Sequence, residues 1–301
     1  MKKLGIVLIC FSFLGCNLVQ WNKERLTKKY SRKGVEEKVL QTDNHSIRYF
    51  EGGEGDTVVL IHGFGADGQM TWNKTILDLA KDYHVIVPDL LWFGGSTSKM
   101  EPNLTSQVDA MLTLLDHRKV SNCSLVGISY GGFVSLGMIH AKKELFQKVC
   151  IVDSPGMTYD VSLLDTLCEQ ENVEEVQEIF VLSDYKDVQE LFDVATYKSR
   201  KIPKGILKDT YEVYFSFNHE EQYQLLATLP EEKERLKDFT IGDLPSLVIW
   251  GEHDQVFPLS QGKKLADFIG AELKVVPKAG HAPNIENFKV FQEYLRNFLA
   301  D

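Results

Sequence analysis

The sequence predicts an α/β fold with a mostly parallel central sheet, helices on both of its faces and a helical insertion. Three observations support this prediction. Short apolar segments rich in Val and Ile recur along the chain, amphipathic segments separate them, and a long interval before residue 240 lacks any such strand. With 301 residues, of which 44% are hydrophobic and 25% charged, the chain suits one large domain that carries an insertion.

Seven segments have the character of strands. Residues 46–50 alternate in polarity and end at a pair of glycines, as a half-exposed strand does. The other segments are continuous and rich in β-branched residues, which is typical of parallel strands covered on both faces. These buried strands are predicted at 57–61, 85–87, 124–127, 149–152, 246–250 and 273–276.

Helices are predicted between these strands, at 104–116 and 133–141, and at the end of the chain, at 288–299. The interval from 157 to 240 is rich in Glu, Asp, Leu and Tyr at helical spacing, and it contains no convincing buried strand. We therefore expect an all-helical insertion at 157–240 that forms a lid over the strand ends. The core then comprises residues 39–156 and 241–301.

The N-terminus differs from the rest of the chain. Lys2 and Lys3 precede an apolar run at 4–14 that is too short for a comfortable membrane span, and Gly15 and Cys16 follow. This order is typical of an export signal, so we assign residues 1–19 to a signal-like segment and expect the protein in the cell envelope. The polar, basic residues 20–38 are predicted to form a tether.

Residues 13–16 also resemble the lipobox of bacterial lipoproteins, with Phe13 where that family usually has Leu. The resemblance implies that Cys16 carries a lipid and holds the protein at a membrane. Simple secretion and an uncleaved N-terminal anchor are the alternatives.

The sharpest motif is the Gly-x-Ser-x-Gly pentapeptide at 127–131, which follows an apolar strand and precedes a helix. A serine at such a strand-to-helix turn adopts a strained backbone conformation, so the residues two before and two after it must be small. The helix that begins at Tyr130 also directs its N–H groups towards the place where negative charge would develop. This setting predicts that Ser129 is a nucleophile.

From about residue 35 to the C-terminus the chain resembles the α/β-hydrolase family. The family's oxyanion loop is matched by His-Gly-Phe-Gly at 62–65, and the resemblance implies that Phe64 and Tyr130 donate their backbone N–H groups to an oxyanion. The family's Pro-Asp turn is matched at 88–96, with Trp92 where Gly is usual. His62, Gly63 and Trp92 are candidates for the substrate pocket.

Two further matches imply the partners of Ser129. Asp254 completes a Gly-x-x-Asp match after the strand at 246–250, and His281 follows Gly280 after the last strand. The order Ser, Asp, His is the one that this fold uses. The resemblance thus implies that His281 is the general base and that Asp254 orients it.

The implied activity is hydrolysis of a carboxylic ester by a carboxylesterase or a monoacylglycerol-type lipase, so a small ester or acyl compound is the expected partner. The same three residues also serve C–C bond hydrolases and aminopeptidases, and a non-catalytic binding protein on this scaffold is a further alternative. The formal charge of −10 opposes binding to nucleic acid. No metal-ligand spacing and no phosphate-binding loop is present, so we expect neither metal nor cofactor.

Overall fold

The computed structural model describes residues 17–159, 161–236 and 239–301. Up to the seventh strand, the elements are α1 (Leu18–Ser31), β1 (Val35–Gln41), β2 (His45–Gly52), β3 (Thr57–Ile61), α2 (Gly68–Leu79), β4 (His84–Pro88), β5 (Thr97–Ser98), α3 (Leu104–His117), β6 (Cys123–Ile128), α4 (Tyr130–Lys142) and β7 (Phe146–Val152). After it come α5 (Val161–Glu171), α6 (Val176–Phe180), α7 (Asp187–Ala195), α8 (Lys204–Tyr214), α9 (His219–Ala227), α10 (Leu229–Arg235), β8 (Ser246–Gly251), α11 (Leu259–Ile269), β9 (Glu272–Val276), α12 (Pro283–Glu286) and α13 (Phe288–Ala300).

One sheet contains the nine strands of the described residues, in the order β1-β2-β4-β3-β6-β7-β8-β9, with β5 paired to β2. The six strands from β4 to β9 along this order are parallel, whereas β1 and β2 form an antiparallel edge. Parallel strands that are joined by helices leave their carboxyl ends at one edge of the sheet, and a ligand site is expected there.

Helices cover both faces of the sheet. In β3, Val58 and Leu60 belong to the core beneath α1, α2 and α13, while Val59 and Ile61 belong to the core beneath α3, α4 and α11. Successive residues of a strand point to opposite faces, so a strand buried on both sides must be apolar throughout. Full burial of one such side chain stabilises the fold by roughly 1.5–3 kcal/mol. The predicted fold class is confirmed.

In the described part of the interval between β7 and β8 lie six α-helices, α5 to α10. Most residues of two small apolar clusters come from these helices, and Met70 and Val256 join the clusters from the rest of the domain. Leu182, Val188 and Phe215 belong to the first, and Leu167 and Ile179 belong to the second.

The structure corrects the prediction of a tether at 20–38, because this segment forms α1 and the start of β1. Tyr30 is fully buried, and its ring meets the edge of the Phe50 ring at a centroid distance of 5.3 Å. The ammonium group of Lys23 lies 2.7 Å from the carboxylate of Asp67. The segment is polar because α1 faces solvent on one side, while its other side packs on the domain.

The predicted signal-like segment extends to residue 19, but residues 18 and 19 belong to α1. Cys16 and the rest of that segment lie outside the described residues, so the lipidation of Cys16 stays a prediction. Among the helices of the described ranges, none has the length and hydropathy needed to cross a bilayer.

Candidate active site

Ser129 occupies a strained turn between β6 and α4. Its φ of 51° lies in the left-handed region, which non-glycine residues rarely adopt. A Cβ on Gly127 would lie 2.3 Å from the Ser135 hydroxyl, and one on Gly131 would lie 2.4 Å from the carbonyl oxygen of His62. The two glycines of the motif are therefore required by packing, and the turn presents Ser129 at the carboxyl edge of the sheet.

The three residues proposed to act together form one hydrogen-bonded series. Nε2 of His281 lies 2.8 Å from the Ser129 hydroxyl, and Nδ1 lies 2.8 Å from Oδ2 of Asp254. The other carboxylate oxygen of Asp254 accepts the backbone N–H groups of Val256 and Phe257, each at 2.9 Å. A carboxylate held in this way fixes the imidazole proton on Nδ1 and leaves the lone pair of Nε2 for the serine.

The loop after β3 lies directly against the serine. A Cβ on Gly63 would lie 3.1 Å from the Ser129 Cβ, a tight contact that glycine avoids. The rings of Phe64 and Tyr130 meet edge to face at a centroid distance of 5.8 Å. Tyr130 is the first residue of α4, so its N–H has no acceptor within the helix and remains free for a ligand.

This arrangement of strand, turn and helix is also recognised at the level of sequence. The profile of the alpha/beta hydrolase family matches residues 58–293. The chain belongs to the alpha/beta hydrolase family.

Named relatives of this hydrolase include lipases, a semialdehyde hydrolase and the acetyltransferase component of an acetoin cleaving system. Lipase 3 of Moraxella sp. (strain TA144) is 26% identical, and the alignment covers 98% of this chain and 99% of the lipase. The 2-hydroxymuconate semialdehyde hydrolase of Pseudomonas sp. (strain CF600) is also 26% identical, with 83% and 89% covered. Among solved structures, a bacterial membrane phospholipase A shares the fold with a TM-score of 0.74 at 23% identity, covering 96% of this chain and 92% of that one.

His62 supports the loop after β3 and lines neither of the cavities beside Ser129 that are described below. Its Nδ1 lies 2.7 Å from the Gly63 carbonyl oxygen, and its Nε2 accepts the N–H of Leu90 at 2.8 Å. Burial lowers the pKa of His62, which favours the neutral form that this pair of bonds needs. The assignment of His62 to the substrate pocket was wrong, whereas Gly63 does line a cavity.

Trp92 is likewise buried away from these two cavities, so its assignment to the pocket was also wrong. It has a φ of 65°, and its side chain joins the apolar core. Its carbonyl oxygen accepts hydrogen bonds from the amide groups of Gln222 at 2.9 Å and Asn218 at 3.1 Å. Trp92 thus connects the turn after β4 to α9 of the insertion.

A buried ion network that we did not foresee holds the start of α2. The guanidinium group of Arg48 lies 2.7 Å from the carboxylate of Asp89 and 3.6 Å from that of Asp67. Asp89 accepts the N–H of Gly68, and Asp67 accepts the N–H of Met70, which caps the helix. Burial raises the pKa of Asp67, but the charges of Lys23 and Arg48 hold it below its ordinary value.

Asp153 is a second buried group that the sequence did not reveal. It follows β7, is fully buried, and accepts the N–H of Gly251 at 2.7 Å. Ligand atoms of Asp153, Asp254 and His281 all lie within 4.8 Å of one another. Burial, and then repulsion from Asp254 and Glu286, raise the pKa of Asp153 well above its ordinary value, so the neutral acid is favoured. Because N–H donors engage the lone pairs of Asp254, the cluster of Asp153, Asp254 and His281 suits proton transfer better than metal binding.

The insertion is tied to the loop that carries His281. The N–H of His281 donates to the carbonyl oxygen of Ala195 at 2.9 Å. The carboxylate of Glu286 accepts the N–H of Gly280 at 2.6 Å and that of Tyr197 at 2.9 Å. We call these three bonds the Glu286 clasp.

Two cavities open beside Ser129, and both are bounded by Phe64, Phe180 and Val256. The tyrosine-side cavity has a volume of about 290 Å³, and its apolar lining includes Tyr130, Phe133, Tyr159, Leu229 and Phe257. The histidine-side cavity has a volume of about 200 Å³, and its lining includes Met70, Ile128, Leu191, Phe192, Phe215 and His281.

The charged residues that line the cavities are all acidic. Asp165, Glu174 and Glu175 contribute to the tyrosine-side cavity, and Glu286 contributes to the histidine-side cavity. Neither lining includes a Lys or an Arg from the described parts of the chain. The site therefore favours apolar, uncharged groups over anions.

Proposed function

We propose that this hydrolase cleaves uncharged carboxylic esters that carry apolar groups, through an acyl-enzyme on Ser129. The observation that supports this most directly is the hydrogen-bonded series from Asp254 through His281 to Ser129, which ends between two apolar cavities. The geometry matches a serine nucleophile with an oriented histidine base.

In the first step, the Ser129 oxygen attacks the carbonyl carbon of the ester while its proton passes to Nε2 of His281. The carbonyl oxygen becomes an oxyanion, which accepts the backbone N–H groups of Phe64 and Tyr130. Loss of one such donor typically costs about 3–4 kcal/mol of transition-state stabilisation. Asp254 stabilises the charged imidazole that forms in this step.

In the second step, the bond between the carbonyl carbon and the alcohol oxygen breaks, and that oxygen takes the proton from His281. The departing alcohol must therefore lie on the side of His281, which lines only the histidine-side cavity. The acyl chain then occupies the tyrosine-side cavity. Water, deprotonated by His281, attacks the acyl-enzyme, and the acid leaves while Ser129 regains its proton.

The charge of the cavities favours an ester over the substrate of the C–C bond hydrolases. 2-Hydroxymuconate semialdehyde carries a carboxylate, and burying a carboxylate without a cationic partner is costly. The cavity linings of this chain offer acidic residues instead. An uncharged ester meets no such penalty, and its apolar chains match the aromatic walls.

Hydrolysis of p-nitrophenyl esters with two, four, eight and twelve acyl carbons tests the proposal. We expect turnover by the unmodified protein and covalent labelling of Ser129 by a fluorophosphonate, located by peptide mass spectrometry. The S129A variant should lose both, with a decrease in kcat on the order of 10⁶-fold, because removing the nucleophile abolishes the acyl-enzyme.

The matched control is S121A, since Ser121 lies exposed in the loop before β6. Its activity and Tm should equal those of the unmodified protein. Retained turnover by S129A would exclude Ser129 as the nucleophile. Faster cleavage of 2-hydroxymuconate semialdehyde than of every ester would show instead that this chain is a C–C bond hydrolase.

A further inference from the structure

The outer face of α1 combines cations with exposed apolar side chains. Residues 17–34 contain six Lys or Arg residues and one Glu, in a chain with a formal charge of −10. Leu18 is 46% exposed and Trp21 is 57% exposed, so both apolar side chains lie open to solvent next to these cations. Basic charge concentrated on one helix of an acidic protein attracts anionic surfaces to that helix.

These residues form one stripe. Leu18, Trp21, Arg25, Lys28 and Arg32 follow each other at intervals of three or four, so they lie on one side of the helix. Lys29 is exposed beside them. Among the described residues, no carboxylate forms an ion pair with any of the four cations, which are Arg25, Lys28, Lys29 and Arg32.

The opposite face of α1 packs on the domain, which determines that the stripe faces solvent. Tyr30 is buried against Phe50, and Lys23 is paired with Asp67. Val19 packs on the cluster that contains Met70 and Phe215, and these two residues also line the histidine-side cavity. The stripe thus faces away from the domain while the helix lies directly behind the wall of that cavity.

We propose that the stripe from Leu18 to Arg32 docks on the surface of an anionic lipid bilayer. Lys and Arg side chains attract anionic headgroups, and a tryptophan next to them is suited to the interface between headgroups and acyl chains. The predicted lipid on Cys16 would lie directly before α1 and would hold the stripe at the same membrane. Docking would hold the histidine-side cavity close to a supply of lipid esters.

Vesicle binding by the full chain tests the docking, and it needs no turnover, so its outcome is independent of the proposed ester hydrolysis. Binding is compared between phosphatidylglycerol and phosphatidylcholine vesicles, and the difference isolates the electrostatic contribution from any apolar insertion of residues 4–14. The K28Q/K29Q/R32Q variant should bind phosphatidylglycerol vesicles about 10²-fold more weakly, since each cation near an anionic surface contributes about a fivefold factor.

The matched control is K263Q/K264Q/K289Q, which removes three exposed lysines from α11 and α13 and changes the net charge equally. It should keep the affinity of the unmodified protein. Trp21 provides a second readout, because Trp72, Trp92 and Trp250 are buried. Its fluorescence should be quenched by brominated phosphatidylglycerol and protected from acrylamide.

Three results would overturn the proposal. Equal binding to both kinds of vesicle would show that charge does not contribute to docking. An equal loss of affinity in the control variant would show that the cations of α1 have no special part in it. If duplex DNA displaces the protein from vesicles at equal phosphate concentration, the stripe is a general polyanion site and not a lipid-docking surface.

Discussion

The loops at the carboxyl ends of the strands hold the side chains next to Ser129 with hydrogen bonds, whereas the helices α5 to α10 border the two cavities mainly with apolar side chains. Asp254 accepts two backbone N–H groups and the imidazole of His281, and His62 joins Gly63 to Leu90. In the insertion, Phe180 limits both cavities through its ring, which meets Phe64 at a centroid distance of 6.4 Å.

This difference assigns separate tasks to the two regions. Proton transfer needs groups placed within a few tenths of an ångström, and directional hydrogen bonds to the backbone provide that accuracy. Apolar walls select substrates by shape and size, and they tolerate substitution better because packing is less directional. Changes in the loops should therefore alter kcat, while changes in the insertion should alter which ester is preferred.

The largest effect is expected for D254N in the loops. An amide in place of the carboxylate would donate to Nδ1 of His281, so the ring proton would move to Nε2, which could then no longer accept the serine proton. We expect kcat for p-nitrophenyl butyrate to fall about 10⁴-fold with little change in Tm.

D267N is the control for this substitution, because Asp267 is exposed on α11. Its kcat should be unchanged. A decrease in kcat of less than tenfold for D254N would show that Asp254 does not orient His281 and would remove the proposed contrast between the two regions.

A smaller effect is expected for F180A in the insertion. Removal of the ring would join the two cavities. A short acyl chain would then lose its contact with this wall, whereas a long chain would keep its contacts with the rest of the cavity. We expect kcat/KM for p-nitrophenyl butyrate to fall about tenfold, as one missing apolar contact typically costs 1–3 kcal/mol, while the laurate ester is affected less.

Y185A is the control within the insertion, since Tyr185 is partly buried in the same region and lines neither cavity. It should keep the original preference for acyl length. If F180A lowers activity equally for all esters, the insertion does not select the substrate through this residue.

The smallest effect is expected for D153N, and it concerns stability. The pKa of Asp153 is raised on folding by burial and by Asp254 and Glu286, so folding takes up a proton. This carboxyl group contributes stability below its unfolded pKa of about 3.9 and loses that contribution as the pH rises towards the raised value. The D153N variant should therefore have a higher Tm than the unmodified protein at pH 7, and the advantage should disappear near pH 4.

Asp78 provides a comparison with the opposite sign. Burial raises its pKa, but hydrogen bonds from Arg296 and Lys81 lower it further than burial raises it. The D78N variant should lose stability at pH 7 and lose less near pH 3, where the carboxylate of the unmodified protein becomes protonated. Parallel pH profiles of Tm for D153N and D78N would contradict the burial-based account of Asp153.

The local patterns of the chain were sufficient to predict seven strands of the sheet and the turn at Ser129, but not β1 or β5. Asp254 and His281 were implied by the resemblance to the α/β-hydrolase family. A buried strand must be apolar throughout, and Gly127 and Gly131 are required by contacts within a few residues or with the adjacent loop. Asp153 could not be found in this way, because its environment depends on Gly251 and Asp254 after a different strand. Its only signal is its place at the end of the predicted strand 149–152.

The incorrect predictions concern residues whose packing does not follow from the composition of the segment around them. Segment 20–38 is polar on average, yet Leu26 and Tyr30 bury one side of it against the domain. Trp92 replaces a glycine of the family pattern, but its ring faces the core and its carbonyl group faces the insertion. A linear sequence gives the polarity of a residue but not the neighbour that its side chain meets.

The Glu286 clasp restricts how a substrate can enter. A rigid-body swing of the whole insertion would pull on the peptide groups of Gly280 and His281 and would misalign the imidazole with each opening. We therefore expect residues 195–197 to stay in place when a substrate enters. Residues of α5 and α6 line the tyrosine-side cavity, which no residue of the clasp borders, so movement of these two helices would leave the imidazole aligned.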